Sequence, residues 1–164
     1  MMVSDGKNDL LCVGGNKDVV SCELECYERW KNQPMDIVSD LVGLGTEAKC
    51  EAIFNYLITN TEYLLDEAGK QWIKSPARLL HDGCGDCKSL TMFIVCCLHC
   101  LNVPHIIRFV NFDGGSTYSH VYAVAIDEMG REIILDACEK DEDGNIFYNY
   151  ARPYKKKKDF RFNG

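Results

Sequence analysis

The chain has 164 residues, 46% of them hydrophobic and 26% charged, which suits one folded domain with a sizeable core rather than a disordered segment. No apolar run approaches the roughly 20 residues that cross a bilayer, and 1–13 lack the basic-then-apolar pattern of a secretory signal, so a reducing, cytoplasmic setting without membrane contact is expected. Residues 151–164 carry six Lys or Arg against one Asp, a local +5, which leaves −12 for the remainder of a chain whose total is −7. That remainder is a poor surface for phosphate backbones, so nucleic acid is not an expected partner.

In chain order, "LLCVGG" (10–15) reads as a short strand ending in glycines, and "KDVVSCELECYERW" mixes helix and strand signals. Pro34 is placed to open a short helix through Leu41. Thr46 is the expected N-cap of the helix "EAKCEAIFNYLITN", with Ala48, Ile53, Tyr56 and Leu57 as its apolar face. Residues 62–74 read as an extended connection into "SPARLL". Gly83 and Gly85 then break the chain, and Asp86 stands at the N-cap of a helix from Cys87 to Leu101. That helix is apolar nearly all round, as a helix packed on every side must be. Asn102 and Pro104 end it.

After Pro104 the sequence turns to strands: "HIIRFVNF", "YSHVYAVAI", "REIILDA" and "NIFYNY", separated by glycine-bearing turns. Helices followed by an antiparallel meander make an α+β domain. No repeat or linker divides the chain, so 1–164 reads as one domain. The terminal "YKKKKDFRF" reads as a solvated basic tail, with an arm for an anionic partner as the other possibility. "DEDGN" (Asp141–Asn145) resembles a calcium loop superficially. Its glycine comes fourth and Arg152 stands where a closing glutamate belongs, so a hairpin turn is the better reading.

"HDGCGDCKSLTMFIVCCLHC" (81–100) holds five of the ten cysteines and two of the four histidines. A zinc site needs four converging ligands, yet Cys96, Cys97, His99 and Cys100 lie inside the apolar helix, and Cys22 with Cys26 is a half-site without a counterpart. "CGDC" has dithiol spacing but no βαβ surroundings. Cys12, Cys50, Cys96, Cys97 and Cys100 read as buried free thiols acting as small hydrophobes.

The third reading is a nucleophile. Cys87 falls in the first turn of its helix, where the helix dipole favours a thiolate. Acyl transfer also needs an imidazole and a group to orient it. His120 opens one predicted strand and Asp136 closes the next, so an antiparallel pairing brings them together. The other histidines, His81, His99 and His105, read as solvated or structural.

"QWIKSPARLLHDGCGDCKSLTMFIVCCLHCLNVPHIIRFV", "SHVYAVAI" and "EIILDAC" together resemble the transglutaminase-like superfamily, especially its small bacterial and phage cysteine-proteinase-like members. The likeness covers about 47–138. It implies a papain-like core, with a buried nucleophile helix packed on an antiparallel sheet. It also implies Cys87 as nucleophile, His120 as general base and acid, and Asp136 as the orienting carboxylate. The oxyanion hole would take the Cys87 backbone N–H, joined by a donor from Trp72 or Gln71. Members of the family usually have an acid directly after the nucleophile, and some bind calcium there. This chain has Lys88, so neither metal nor other cofactor is expected.

The expected activity is attack on a peptide or side-chain carboxamide, with hydrolysis favoured over amine transfer. A protein or peptide is the expected partner. The competing expectation is a catalytically silent structural or interaction module. If the chain is phage-encoded, a virion-associated location and contacts with virion or host proteins follow.

Overall fold

The computed structural model describes residues 16–67 and 71–164. Helices come first: α1 (Asn16–Trp30), α2 (Met35–Val38) running into a 3-10 turn (Ser39–Leu41), and α3 (Thr46–Asn60). A two-residue strand β1 (Glu62–Tyr63), α4 (Pro76–Asp82), a second short strand β2 (Cys84–Gly85) and α5 (Cys87–Cys100) follow. Four longer strands complete the order: β3 (His105–Asn111), β4 (His120–Ile126), β5 (Glu132–Leu135) and β6 (Lys156–Phe162). The architecture is α+β with an antiparallel sheet in the order β5-β4-β3-β6.

α5 is the axis of the molecule. The Asp86 side chain caps it by accepting the backbone N–H groups of Lys88 and Ser89, and every residue but Cys87 and His99 is buried. Its apolar perimeter therefore has neighbours throughout, with α1, α3 and α4 around it and the sheet alongside. α4 ends at Gly83, whose left-handed φ of 69° turns the chain back. Gly85 follows in β2, paired in parallel with β1. A Cβ on Gly85 would lie 2.7 Å from a Leu79 methyl and 2.9 Å from Ser89 Cβ, so this approach to α5 is open only to glycine.

Strand alternation divides the sheet into two faces. Ile107, Phe109, Val121, Ala123, Ala125, Ile133 and Leu135 belong to the main core with α5. On the reverse, Ile106, Val110, Tyr122 and Val124 form a second cluster, joined by Phe112 and Ala151. Arg108 lies buried there and donates two hydrogen bonds each to Glu132 (2.9 and 2.9 Å) and Asp159 (2.8 and 3.0 Å). A charge taken out of water requires this kind of saturation.

Several expectations change. The mixed segment 17–30 is helical throughout, while "LLCVGG" lies outside the described residues. Gly45, not Thr46, occupies the N-cap of α3; the Thr46 amide and hydroxyl instead donate to Glu128 at 3.0 and 2.7 Å. A carboxylate from the β4–β5 turn thus serves the positive end of the helix. The buried face of α3 is Thr46, Cys50, Ile53, Phe54 and Leu57, whereas Ala48 and Tyr56 are exposed.

"NIFYNY" is not a strand: it contributes one bridge, Ile146 to Lys140, around the 141–145 turn. That turn is a hairpin, closed by the Asn145 N–H on the Asp141 side chain at 2.7 Å. Asn149, with φ 58°, then turns the chain away. The fourth strand is the basic segment, where β6 pairs with β3 from end to end. Its lysines face solvent, while Phe160 and Phe162 pack on the main core, so alternation makes the "tail" an edge strand.

Candidate functional site

Cys87, His120 and Asp136 come together at one end of α5. The His120 Nε2 and an Asp136 oxygen are 2.6 Å apart, with the side chains 8% and 1% exposed. Ladder pairs such as Ala123–Leu135 place the two residues diagonally on one face of neighbouring strands. The second Asp136 oxygen accepts the Cys138 N–H at 3.1 Å, which fixes the carboxylate just past the end of β5. Cys87 is half-buried at the first position of α5, where its backbone N–H is one of the donors a helix leaves without an internal partner.

Burial alone would push the His120 pKa down, but the hydrogen bond to Asp136 and the neighbouring Cys87 outweigh it, raising the pKa to about 10. Both partners, Asp136 and the Cys87 sulfur, favour a proton on the ring. A thiol, an imidazole and a carboxylate in this order can pass a proton from sulfur to nitrogen and back.

Cys87 and His120 share a cleft of about 430 Å³, walled by Phe109 and Tyr118 from the sheet side and by Tyr63 and Gln71 from the segment after α3. Of the two predicted side-chain donors, Gln71 lines the cleft. Trp72 does not; it is half-buried, and its backbone N–H donates to Asp66 at 2.6 Å. Beside the nucleophile position, the Lys88 ammonium contacts Asp86 and lies 3.4 Å from Asp66. Burial disfavours the Lys88 charge, and Asp86 more than restores it.

Glu23, on α1, is fully buried near the same cluster, with neither carboxylate oxygen hydrogen-bonded. Burial first, and then the charge of Asp86, raise its pKa well above the carboxylate range against the pull of Lys88. Asp66, Lys88 and Glu23 carried no positive sequence signal. They come from three separate segments that meet only in the fold.

The remaining histidines lie elsewhere. His105 is buried and donates from Nδ1 to the Val103 carbonyl at 2.7 Å while Nε2 accepts from Tyr27 at 2.9 Å. Burial lowers its pKa to about 4. His99 lies 3.4 Å from the same Tyr27 hydroxyl, and exposed His81 pairs with Asp82. Cys84 is half-buried in β2, with the Lys74 ammonium 2.7 Å from its carbonyl. Cys50, Cys96, Cys97 and Cys100 are free and buried, as expected, and Cys12 lies outside the described residues. Cys22 is disulfide-bonded, so it offers no thiolate to a metal.

His120, Asp136 and Glu139 have ligand atoms within 4.8 Å of one another. Two donors on one zinc sit roughly 3.3 Å apart, given bonds of about 2.0–2.1 Å in a tetrahedron. The 2.6 Å contact between His120 Nε2 and Asp136 is shorter than that and is a hydrogen bond.

No family model matches the chain, and no curated protein matches it either. Among solved structures it is similar to a Cytophaga hutchinsonii protein proposed to be a cysteine protease, at 16% identity and a TM-score of 0.45 over 76% of this chain. The chain spans 39% of that protein's length. It is also similar to Legionella pneumophila LapG, at 15% identity and a TM-score of 0.48 over 78% of this chain and 75% of LapG. Calcium-bound LapG gives 19% identity and a TM-score of 0.46 over 92% of this chain and 77% of LapG.

Proposed function

We propose that the protein is a transglutaminase-like cysteine hydrolase that cleaves a peptide or side-chain carboxamide. The observation that carries this reading is that His120, hydrogen-bonded to Asp136, lines one cleft with Cys87 at the head of α5. In this reading the Cys87 sulfur attacks the amide carbonyl and His120 returns the proton to the leaving amine. Asp136 holds the ring and its charge. The free N–H of Cys87 faces the oxyanion, with Gln71 the better placed of the two side-chain donors. Water then releases the acyl group through the same imidazole acting as base. Amine transfer would use the same acyl-enzyme with another acceptor, and a peptidase or amidase remains our preferred outcome.

The test is a peptide-library digest with wild type and Cys87→Ala, followed by mass spectrometry. Cleavage by wild type, absent in the variant and accompanied by an acyl adduct on Cys87, is the expected result. No turnover across peptide and amine-acceptor sets would reject the reading in favour of a silent binding module.

A further inference from the structure

The χ2 torsion of a histidine is soft, so the backbone alone does not decide which way the His120 ring plane faces. The bond to Asp136 fixes one edge of the ring. Two aromatic rings flank it: Phe112, with centroids 5.9 Å apart and planes at 28°, and Tyr122, at 5.8 Å and 40°. They are held very differently. Tyr122 is buried within β4, ladder-paired to Arg108. Phe112 stands one residue past the end of β3, half-buried, where the exposed stretch 113–117 begins. The strand ladder has ended there, and the ring needs another anchor. Arg152 supplies it, with its guanidinium carbon 4.2 Å from the Phe112 centroid, while the adjoining Ala151 packs in the same cluster as Phe112.

The geometry points to Phe112 and Arg152 as positioning residues for the His120 imidazole: a cation laid over an aromatic ring that is itself stacked on the imidazole. This deepens the hydrolase reading and rests on it. Neither residue touches the reacting atoms. Their effect runs through ring orientation, to which proton transfer is sensitive, since misplacement by about 1 Å can lower a rate about 100-fold. Arg152 acts only through Phe112, so its removal should have the smaller effect, about two- to fivefold for a cation–π contact at an exposed site.

Two readouts test this. In steady-state kinetics, Phe112→Leu should lower kcat about tenfold and Arg152→Met about threefold, with KM within about twofold. Arg152→Lys should stay near wild type, and the double variant Phe112→Leu/Arg152→Met should be no worse than Phe112→Leu alone. In the Cys87→Ala protein, where turnover is not needed, the carbon-bound His120 protons should move in the NMR spectrum when Phe112 becomes Leu. They should move part-way with Arg152→Met, and return with Arg152→Lys. Unmoved His120 resonances in Phe112→Leu, independent effects in the double variant, or kcat losses that merely track the melting temperature would overturn the inference. Resonances that respond as stated in a protein that turns over no substrate would uphold the ring relay and reject the hydrolase reading.

Discussion

His120 and Asp136, sixteen residues apart in the sequence, meet at 2.6 Å in a part of the sheet almost closed to solvent. A buried imidazole with a carboxylate at that distance keeps its Nε2 edge turned toward it. Asp136→Asn keeps the shape but cannot hold the charge of an imidazolium. Activity on a cleavable peptide should fall about 10³- to 10⁴-fold while the circular dichroism spectrum stays native. Retention of even a tenth of the activity would remove Asp136 from the chemistry.

Thiol reactivity offers a separate check. Cys26, Cys50, Cys96, Cys97 and Cys100 are buried, and Cys22 is in a disulfide. Burial raises the pKa of Cys138 well above that of a free thiol, and that of Cys50 to about 12. Among the described residues, Cys87 is the half-buried thiol with the His120 imidazole beside it. Iodoacetamide at pH 6 should therefore label Cys87 first, as read by peptide mapping. Preferential labelling of Cys84 or Cys138 would contradict the assignment.

The pKa of His120 lies above its unfolded value of about 6.5, so its contribution to stability is complete below that pH and is lost as pH rises toward about 10. Denaturation of wild type and His120→Gln across pH 6–10 should show the difference between them shrinking as pH rises. Cys87→Ala removes one of the partners that raise the pKa, so the His120 NMR titration should shift to lower pH in that variant. An unchanged midpoint would mean that Cys87 and His120 do not share charge.

Glu23 works in the opposite setting, since neither oxygen is hydrogen-bonded and Lys88 only partly opposes its desolvation. The folded state keeps its proton above the unfolded pKa of about 4.3, so stability falls as pH climbs past that value. Glu23→Gln should match wild type near pH 4 and exceed it at pH 8, measured by urea denaturation. Equal stability at both pH values would show that Glu23 is solvated or paired.

Lys88 is the cation that offsets Asp86, whose own side chain is only 5% exposed. Lys88→Met should cost about 3 kcal/mol at pH 7 by leaving that carboxylate unpaired. The loss should shrink at pH 4, where Asp86 can take up a proton, its pKa being raised chiefly by burial. A pH-independent loss would point to packing instead.

These features differ in how openly the sequence displays them. α5 was legible because Asp86 is a good cap and the run after it is apolar on every side, a pattern that allows only a buried helix. The His120–Asp136 meeting was legible because a short turn forces register on two strands. Other elements were hidden by conflicting local signals. "NIFYNY" has strand-like composition, but its contacts are spent on a hairpin and on the left-handed Asn149. "KKKKDFRF" looks solvated by charge, and its alternating Phe160 and Phe162 decided otherwise. The ring stack of Arg152, Phe112 and His120 joins residues whose proximity depends on how the segment after β5 returns across the sheet, which no local pattern encodes.

β6 has a consequence for biosynthesis. Translation is vectorial, and β3 emerges some fifty residues before its flanking partner Lys156–Phe162. Throughout that interval one margin of β3, including the backbone of the cleft residue Phe109, has its amides unmatched. The nascent chain therefore carries an unfinished cleft wall and an adhesive strand margin at the same time. A ribosome paused before residue 156 would hold a polypeptide that contains Cys87, His120 and Asp136 and still lacks the strand that braces their cleft.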